Sequence, residues 1–522
     1  MKNGFRQSMA WLHTWSGLLV GWILFAVFLT GTASYFKGEI SQWMRPELHA
    51  SAAGPEAAAE LAVNALRQIA PRSNTWSVGL PQERDPIIRV FWRSPEARRF
   101  QNAILDPVSG ERVDSRQTRG GDFFYRFHFE LHMQPIWGRW VVGFCAMMML
   151  VAIISGVITH RRIFADFFTF RPGKAPQRSW LDAHNAMAVL ALPYHLMITY
   201  TGLITLMLMY MPWGIDAAYN GNRQAFFAEA VGSPPPPRAA GRPGELVAIG
   251  PLVAEAARQW GEQGVARLTV HNPTDANSVV QISRGDAGRL SMNPQTIVFN
   301  GTTGERTSET GGDGAAAATR GVTYGLHLGR FAGPVMRALF FLSGLAGTGM
   351  VATGLILWAA KHRQKRAATA KPGFGQRLVD TLNVATIAGL PIAMAGFFWA
   401  NRLLPLDIAA RPDWEIRVFF GLWVASLLHA LIRPLRRAWI EQFAFAAFLG
   451  LAIPLLNALT TQRHLGVSLP QGDWAMAGMD LGLAGMGALM GAIAWKLARR
   501  PETVPVKRKA RDAAMPAAAK SA

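Results

Sequence analysis

The chain has 522 residues, half of them hydrophobic, with a formal net charge of +20 and a single cysteine, Cys145. One cysteine excludes a disulfide framework, a thiolate iron–sulfur cluster and a thiolate zinc site within the chain. The apolar residues fall in runs of about 20, enough helix to cross a bilayer. The positive charge is therefore typical of the short cytoplasmic loops of a membrane protein, and nucleic acid is not an expected partner.

The hydrophobic runs predict about eight membrane-spanning helices. The first run is too long for the apolar part of a signal peptide and lacks a small-residue cleavage site, so we expect it to be retained. In chain order the predicted spans are residues 11–34, 136–160, 184–211, 332–360, 378–400, 415–433, 437–460 and 475–497.

Lysine and arginine are concentrated in alternate connections, among them the loop 363–377 and the tail 498–522. Because such residues stay on the cytoplasmic side, both termini are expected in the cytoplasm of a bacterial cell, with the chain in its inner membrane. The predicted organisation is span one in 1–35, a first periplasmic domain in 36–135, spans two and three in 136–211, a second periplasmic domain in 212–331, span four in 332–362, the basic loop 363–377, spans five to eight in 378–497 and the basic tail 498–522.

The two external segments have the same internal order. Each begins with a helix-like stretch and continues with strand-like alternation, so each is expected to form a small α+β domain. The predicted helices are 58–69 and 252–263, and the predicted strands are 87–92, 102–105, 267–270, 278–282 and 296–299.

A repeat relates spans one and two to spans three and four. His13 and His184 each precede a Thr-Gly pair by the same spacing, and a Leu-His pair ending in His132 or His327 precedes spans two and four. Two copies of a helix–domain–helix unit in parallel orientation imply a pseudo-two-fold axis along the membrane normal. Spans five to eight lack the pattern and are expected to form an appended bundle.

Histidines of the repeat are the candidate functional residues. Ionisable side chains at membrane depth are costly, and neutral imidazole is a usual axial ligand of haem iron in helix bundles. The pseudo-two-fold axis pairs His13 with His184 near the inner face, and His132 with His327 near the outer face. Each pair can share one iron.

His195 breaks this symmetry, because the equivalent residue of span one is Leu24. On a continuous helix His195 would lie on nearly the same face as His184 and about 16 Å further along, where it can serve a second, stacked haem. His160, at the inner end of span two, is a further candidate ligand. His128 lies in a loop-like aromatic stretch and is expected to be structural.

Missing motifs narrow the chemistry further. The chain has no Cys-x-x-Cys-His sequence, so any haem is expected to be the non-covalent b type. It has no Gly-x-Gly-x-x-Gly after a strand and no Walker loop, so neither a flavin nor a nicotinamide site is predicted.

The ordered motifs over about residues 5–365 resemble the PepSY-associated transmembrane helix family, and the external segments look like its PepSY modules. The motifs are His13 to Gly17, Thr30-Gly31, Leu131-His132, Ser155-Gly156, His160-Arg161-Arg162, His184-Asn185, Leu192 to His195, Thr201-Gly202 and Leu326-His327. The resemblance implies an α-helical polytopic membrane protein with a duplicated four-helix haem-binding core and two periplasmic α+β PepSY-like domains.

The same resemblance implies an activity. Members of the family include inner-membrane reductases that bind two b haems and reduce ferric siderophores, so a ferric siderophore or similar chelate is the expected substrate. Quinol or a cytoplasmic reductase is the expected electron donor, and no catalytic residue is assigned. Two alternatives stay open: a transporter of the iron chelate or of haem that uses spans five to eight, and a membrane-anchored PepSY module that binds or inhibits another protein.

Overall fold

The computed structural model describes residues 4–48, 53–93, 100–160, 176–226, 237–261, 264–311, 314–365 and 372–500. The basic tail 498–522 thus lies almost entirely outside the described residues. The helices are α1 (Phe5–Ser34), α2 (Lys37–Trp43), α3 (Pro55–Ile69), α4 (Gly121–Glu130), α5 (Pro135–Thr159), α6 (Pro176–Leu190), α7 (Leu192–Thr205), α8 (Met207–Tyr210), α9 (Trp213–Ala218), α10 (Gly250–Trp260), α11 (Ala315–Leu328), α12 (Pro334–Lys365), α13 (Phe374–Ile387), α14 (Gly389–Leu403), α15 (Arg411–Ile432), α16 (Leu435–Thr460), α17 (Leu465–Ser468) and α18 (Trp474–Arg499). The strands are β1 (Thr75–Gly79), β2 (Ile88–Trp92), β3 (Gln101–Leu105), β4 (Val265–His271), β5 (Val279–Arg284), β6 (Thr296–Asn300) and β7 (Arg306–Thr310).

The long helices make this a multi-pass membrane protein. Among the described residues, seven helical segments are long and apolar enough to cross a bilayer, and the bent pair α6–α7 makes an eighth if it forms one span. The consecutive helices α13 and α14 together form one of the seven segments, Phe374–Leu403. The prediction of a polytopic helical membrane protein is confirmed.

The third predicted span is not a continuous helix. α6 ends at Leu190, α7 begins at Leu192, and the two axes meet at 69°. Pro193 explains the break, because proline lacks the N–H of the helix ladder and its ring clashes with the carbonyl four residues earlier. The expectation that His184 and His195 lie above one another on one straight helix is therefore wrong.

The repeat is visible in the packing of the first spans. α1 packs against α5 in the first unit as α6 packs against α12 in the second. Between the units, α1 packs against α12 and α5 packs against α7. These contacts close a ring of spans, which we call the core bundle, and exchange of the two units leaves the contact pattern unchanged. The short helices α4 and α11 follow the same symmetry, because they pack against α1 and α7 respectively.

The two external segments form one antiparallel sheet instead of the two separate domains expected from the sequence. The strand order is β3-β2-β1-β4-β5-β6-β7, so the first segment provides three strands and the second provides four. The join is between β1 and β4, where Trp76 lies opposite Val270 and Val78 lies opposite Leu268. Pairing these strands satisfies an edge of backbone groups that each half would otherwise expose.

One face of the sheet is covered by helices α3 and α10. Alternate strand residues such as Val78 and Leu268 are fully buried there, together with Leu66 of α3 and Val253 of α10. Burial of this apolar face drives its packing on the helices. In chain order, the first half of the sheet comes between α1 and α4 and the second half between α7 and α11. The sheet therefore lies at one end of the core bundle, which we call the sheet-side end. The opposite end is the distal end.

Helices α13 to α18 form the C-terminal bundle, which packs on α1 and α2 of the first unit and on α12 of the second. The indole Nε1 of Trp22 in α1 donates to Oδ1 of Asn383 in α13 at 2.9 Å. Trp43 of α2 is fully buried, and its Nε1 donates to Oδ1 of Asp480 in α18 at 2.8 Å. The appended spans are therefore joined to the core by buried polar contacts as well as by apolar packing.

Candidate functional site

At the distal end, His13 of α1 faces His184 of α6. Their ring centres are 6.1 Å apart and the ring planes are inclined by 70°. Nδ1 of His13 donates to the carbonyl oxygen of Ala152 at 2.8 Å, and Nδ1 of His184 donates to that of Met350 at 2.8 Å. We call these two residues the distal pair.

At the sheet-side end, His128 of α4 faces His327 of α11. Their ring centres are also 6.1 Å apart, and the planes are inclined by 33°. Nδ1 of His128 donates to the carbonyl of Val27 at 2.7 Å, and Nδ1 of His327 donates to that of Ile198 at 3.1 Å. We call these residues the sheet-side pair.

Each of the four imidazole rings packs against a glycine of a neighbouring helix. In every case this glycine is four residues after the residue whose carbonyl accepts the hydrogen bond from the histidine. A Cβ atom added to Gly31 would lie 2.5 Å from Nδ1 of His128, and one added to Gly202 would lie 2.9 Å from Cε1 of His327. For Gly156 and Gly354 the nearest atoms are Cε1 of His13 at 3.1 Å and Cε1 of His184 at 3.2 Å. The repeated small-residue–Gly motifs therefore provide the space in which the imidazoles pack.

The carbonyl contacts fix the tautomer of all four histidines. A carbonyl oxygen only accepts, so Nδ1 must carry the proton and Nε2 of the neutral ring keeps its lone pair. Metal-binding histidines usually hold their other ring nitrogen in this way. Two imidazoles that share one metal atom through bonds of about 2 Å have ring centres about 6 Å apart. Both pairs meet this condition.

The region that holds both pairs also matches a known protein family. The model of the PepSY-associated TM region matches residues 10–361. The chain belongs to the PepSY-associated transmembrane family. It is also 30% identical over 385 residues to the uncharacterized protein PA4219 of Pseudomonas aeruginosa, an alignment that covers 69% of this chain and 91% of that protein.

The family match contains both histidine pairs and ends within α12. It therefore includes the core bundle and the sheet, while the C-terminal bundle lies beyond it. The two units of this PepSY-associated protein hold their four paired histidines in equivalent positions, and all four residues lie within the matched region.

His132 does not face His327, contrary to the pairing inferred from the two Leu-His motifs. α4 ends at Glu130, and both Leu131 and His132 have left-handed backbone conformations, with φ of 52° and 55°. This turn directs His132 to an exposed position, where its ring contacts Phe123 and Phe420 at centroid distances of 6.0 and 5.5 Å. The residue in the expected place is His128.

A signal for His128 was present in the sequence. Tyr125 precedes His128 by three residues, and Tyr324 precedes His327 by the same spacing. Aligned on this Tyr-x-x-His motif, both histidines fall inside short helices, whereas the Leu-His motif falls after the end of α4. The aromatic residues around His128 are the buried face of a helix and not a loop.

His195 is buried in the core bundle but belongs to neither pair. Its side chain is 1% exposed, and neither ring nitrogen makes a hydrogen bond of normal geometry to a described residue. Its ring neighbours are Phe28 at 6.1 Å and Tyr194 at 6.0 Å, and a Cβ atom on Gly347 would lie 3.1 Å from its Nε2. No second histidine of the described chain faces it.

His160 caps the C-terminal end of α5, one turn after Gly156. It therefore lies at the distal end of the bundle, as the sequence predicts. The preceding residue, Thr159, is held in place by α1, because Nε of Arg6 donates to the Thr159 carbonyl at 3.0 Å. His160 is thus close to the distal pair in the fold without being one of its two facing residues.

A polar entrance lies outward of the sheet-side pair. Tyr125 and Tyr324 are one turn outward of His128 and His327, and each phenol ring lies under a cation. Nζ of Lys37 is 4.9 Å from the Tyr125 centroid, and the guanidinium of Arg320 is 4.5 Å from that of Tyr324.

Tyr125 is also within electrostatic range of Arg330, and burial raises the pKa of its phenol. The phenol therefore stays neutral near physiological pH. We call Lys37, Tyr125, Arg320, Tyr324 and Arg330 the entrance. Lys37 forms an ion pair with Asp122 and Arg330 forms one with Asp286, so the net positive charge of the entrance rests on Arg320. This charge attracts anions toward the sheet-side pair.

Proposed function

We propose that this protein is a membrane oxidoreductase that takes electrons at the distal end of the core bundle and delivers them to a ferric siderophore or similar ferric chelate at the sheet-side end. The distal end would face the cytoplasm and the sheet would lie in the periplasm of a bacterial inner membrane, as the basic connections predict. Quinol or a cytoplasmic reductase is the proposed donor. The observation that supports this most strongly is the presence of two imidazole pairs at opposite ends of one bundle, each with one histidine from each unit.

The residues of both sites fit b-type haem. His13 and His184 would hold one haem and His128 and His327 the other, each through the Nε2 lone pair that the Nδ1 contact leaves available. Nowhere in the described chain do three or more His, Cys, Asp or Glu residues form a group that could hold a bare metal ion. A site with two protein ligands suits a metal that brings its own macrocycle. Cys145 is buried and no Cys-x-x-Cys-His occurs, so the attachment would be non-covalent.

The separation of the sites suits transfer across the membrane. The sheet-side pair contacts α1 at Val27 and Gly31. At a helical rise of 1.5 Å per residue, these two residues lie roughly 20–27 Å along α1 from His13. This is most of the ~30 Å thickness of the hydrocarbon core. The proposed sites therefore lie near the two faces of the bilayer.

Bound haem would supply one-electron chemistry between ferric and ferrous iron. The chain itself holds each imidazole in one tautomer by a carbonyl hydrogen bond, which also strengthens Nε2 as a ligand. The glycines under the rings allow this approach, and the apolar bundle keeps water away from the sites. No residue of the protein needs to form a covalent bond in this scheme.

At the sheet-side end, the entrance is the proposed binding site of the substrate. The net positive charge contributed by Arg320 favours an anionic ferric chelate, since Lys37 and Arg330 are already paired with Asp122 and Asp286. Each ferric ion accepts one electron and becomes ferrous. The ferrous ion is softer and less charged, so hard oxygen donors hold it less tightly and the iron is released.

Reconstitution tests the proposed activity. The purified protein is placed in right-side-out vesicles that contain a reductant, and a ferric chelate with a ferrous-specific chromophore is added outside. We expect external ferrous iron to form at a rate that His13→Ala and His128→Ala reduce at least tenfold. The matched control is His362→Ala, because His362 is exposed and stacks on Trp358 outside both pairs.

The other functions give different results in the same vesicles. A transporter would accumulate the intact chelate inside the vesicles without external reduction. A binding or inhibitory module would produce neither reduction nor uptake and would remain colourless after growth with added haem. Either result would overturn the proposed function.

A further inference from the structure

The helix that carries His128 has an aromatic face turned toward the C-terminal bundle. Phe123, Phe124 and Phe127 of α4 are almost completely buried. The Phe123 ring stacks on Phe397 of α14 at 4.8 Å and meets Phe419 of α15 edge-on at 4.9 Å.

The other two rings of this face continue the contact. The Phe124 ring meets that of Phe397 at 5.3 Å, and the Phe127 ring meets Phe419 at 5.6 Å and Trp423 at 6.1 Å. Offset and edge-on contacts of this kind add specific geometry to ordinary apolar burial.

The equivalent helix of the second unit has no such face. Aligned on the Tyr-x-x-His motif, the positions of Phe123, Phe124 and Phe127 correspond to Val322, Thr323 and Leu326. In the described residues, α11 has no ring contact with the C-terminal bundle. The aromatic face is therefore specific to the helix that meets the appended bundle.

The segment before α4 is fixed to the same bundle by hydrogen bonds. Nη1 of Arg116 donates to the carbonyl of Asn401 at 2.9 Å, and Nη1 of Arg411 donates to that of Gln117 at 3.1 Å. Oγ1 of Thr118 donates to Oε2 of Glu415 at 2.5 Å.

Glu415 is itself part of a buried ion pair. Its Oε1 lies 2.7 Å from Nη1 of Arg411, and both side chains are at most 1% exposed. Buried and mutually satisfied polar groups resist displacement, because any shift would leave one of them unpaired. The bundle thus holds both the entry to α4 and its apolar face.

We propose that α14 and α15 of the C-terminal bundle position His128 through the aromatic face of α4, and that this contact sets the ligand geometry of the sheet-side pair and not that of the distal pair. The distal pair lies on α1 and α6 and binds carbonyls of α5 and α12. The C-terminal bundle reaches α1 and α12 through a different helix, α13, where Asn383 binds Trp22 and the carbonyl of Leu355. His128, in contrast, lies on a helix of ten residues whose other face belongs to the appended spans. His128 is bound from one side by the Val27 carbonyl and is held in place from the other by the bundle.

This inference rests on the proposed function, because its main readout uses haem bound at the two pairs. Axial imidazole orientation affects the electron paramagnetic resonance of ferric low-spin haem. The interplanar angles of 33° and 70° lead us to expect two resolved signals from the wild-type protein.

The test compares Phe397→Ala and the milder Phe397→Leu with Phe445→Ala in the full-length protein. Phe445 lies in the same bundle, is 44% exposed and stacks on Phe448 away from α4. We expect Phe397→Ala to shift the signal and midpoint potential of one haem, the one that His128→Ala removes. Phe397→Leu should shift them less, and Phe445→Ala should change neither. The unchanged distal signal shows that each variant is folded.

Hydrogen exchange provides a readout that does not need haem. In haem-free protein, peptides from 121–130 should exchange faster in Phe397→Ala, whereas peptides from 315–328 should be unchanged. Unchanged sheet-side signals and unchanged exchange of 121–130 would overturn the positioning role, and so would equal shifts of both haem signals. Absence of haem from wild-type protein would overturn the proposed function instead, and the exchange of 121–130 would then decide the positioning role alone.

Discussion

The imidazole rings of His128 and His327 lie 6.1 Å apart, although the two residues belong to different units of the duplicated core. The same distance separates His13 and His184 at the other end of the bundle. In all four cases Nδ1 is occupied by a carbonyl oxygen and Nε2 is directed to no hydrogen-bond acceptor of the described chain. The duplication therefore produces two sites, each formed by one residue from each unit.

The glycines beneath the rings give a graded prediction. A Cβ atom at Gly31 would meet His128 at 2.5 Å, closer than real Cβ contacts allow, whereas one at Gly354 would meet His184 at 3.2 Å. Gly31→Ala should therefore displace its histidine and lower sheet-side haem content by more than half. Gly354→Ala should leave distal haem nearly unchanged. Haem content of the purified variants, measured by absorbance against protein, provides the check.

Helix propensity makes this series informative. Alanine favours a helix over glycine by about 1 kcal/mol, so loss of haem in Gly31→Ala cannot follow from a weaker α1. Gly17→Ala in the same helix is the matched control, because a Cβ atom there meets nothing within 4 Å. Equal haem loss in Gly17→Ala and Gly31→Ala would contradict a specific effect of the close contact.

Replacement of His195 by leucine is predicted to stabilise the protein. A buried polar group without a partner costs about 1–3 kcal/mol, and the equivalent position of α1 holds Leu24. His195→Leu should therefore keep two haems per chain and raise the stability of the protein in detergent by about 1 kcal/mol. Thermal unfolding together with haem quantification tests both parts. Loss of one haem would identify His195 as a ligand and disprove the assignment of all four axial ligands to the distal and sheet-side pairs.

Much of the fold could be predicted from the sequence, because apolar length and alternation determine it locally. The spans and strands β2 to β6 follow from these patterns. β7 was not predicted, since its sequence Arg306 to Thr310 lacks apolar alternation and most of the strand is exposed. β1 was not predicted either. It has only five residues, and in the structure it lies between β2 and β4 and pairs with both. The single sheet could not be inferred, because it depends on that contact between the two units.

The candidate site was predicted in part. Equivalent spacing brought His13 and His184 to the same level, and the structure places them face to face. It did not identify His128, because the choice between His128 and His132 depends on where α4 ends. Leu131 and His132 adopt left-handed conformations that sequence periodicity does not reveal. The break at Pro193 likewise changed the relation of His184 and His195, although the proline was visible in the sequence.

The entrance predicts how an anionic chelate is recognised. Replacing Arg320 with glutamine removes one positive charge near Tyr324. We expect KM for a ferric chelate to rise about two- to fivefold, or about 0.5–1 kcal/mol per charge, with kcat unchanged. The difference from wild type should decrease as salt is added. Arg306→Gln, on β7, is the control and should leave KM at its wild-type value.

The buried ion pair in the C-terminal bundle predicts a large effect on stability. Glu415→Ala would leave Arg411 buried and unpaired, which typically costs about 3–5 kcal/mol. Thermal unfolding in detergent should show a strong destabilisation of this variant. Asp114→Ala is the comparison, because Asp114 is fully exposed and its nearest cation is Arg112 at 3.9 Å. A similar melting temperature for the two variants would show that the ion pair is not buried as described.

The central claim is that two histidine pairs hold two haems, and haem stoichiometry in single variants tests it most directly. Purified wild-type protein should contain two b-type haems per chain, with distinct reduced spectra after dithionite addition. His13→Ala and His184→Ala should each lose the same haem, His128→Ala and His327→Ala should each lose the other, and His132→Ala should lose neither. A colourless wild-type protein, or loss of different haems within one pair, would contradict this claim.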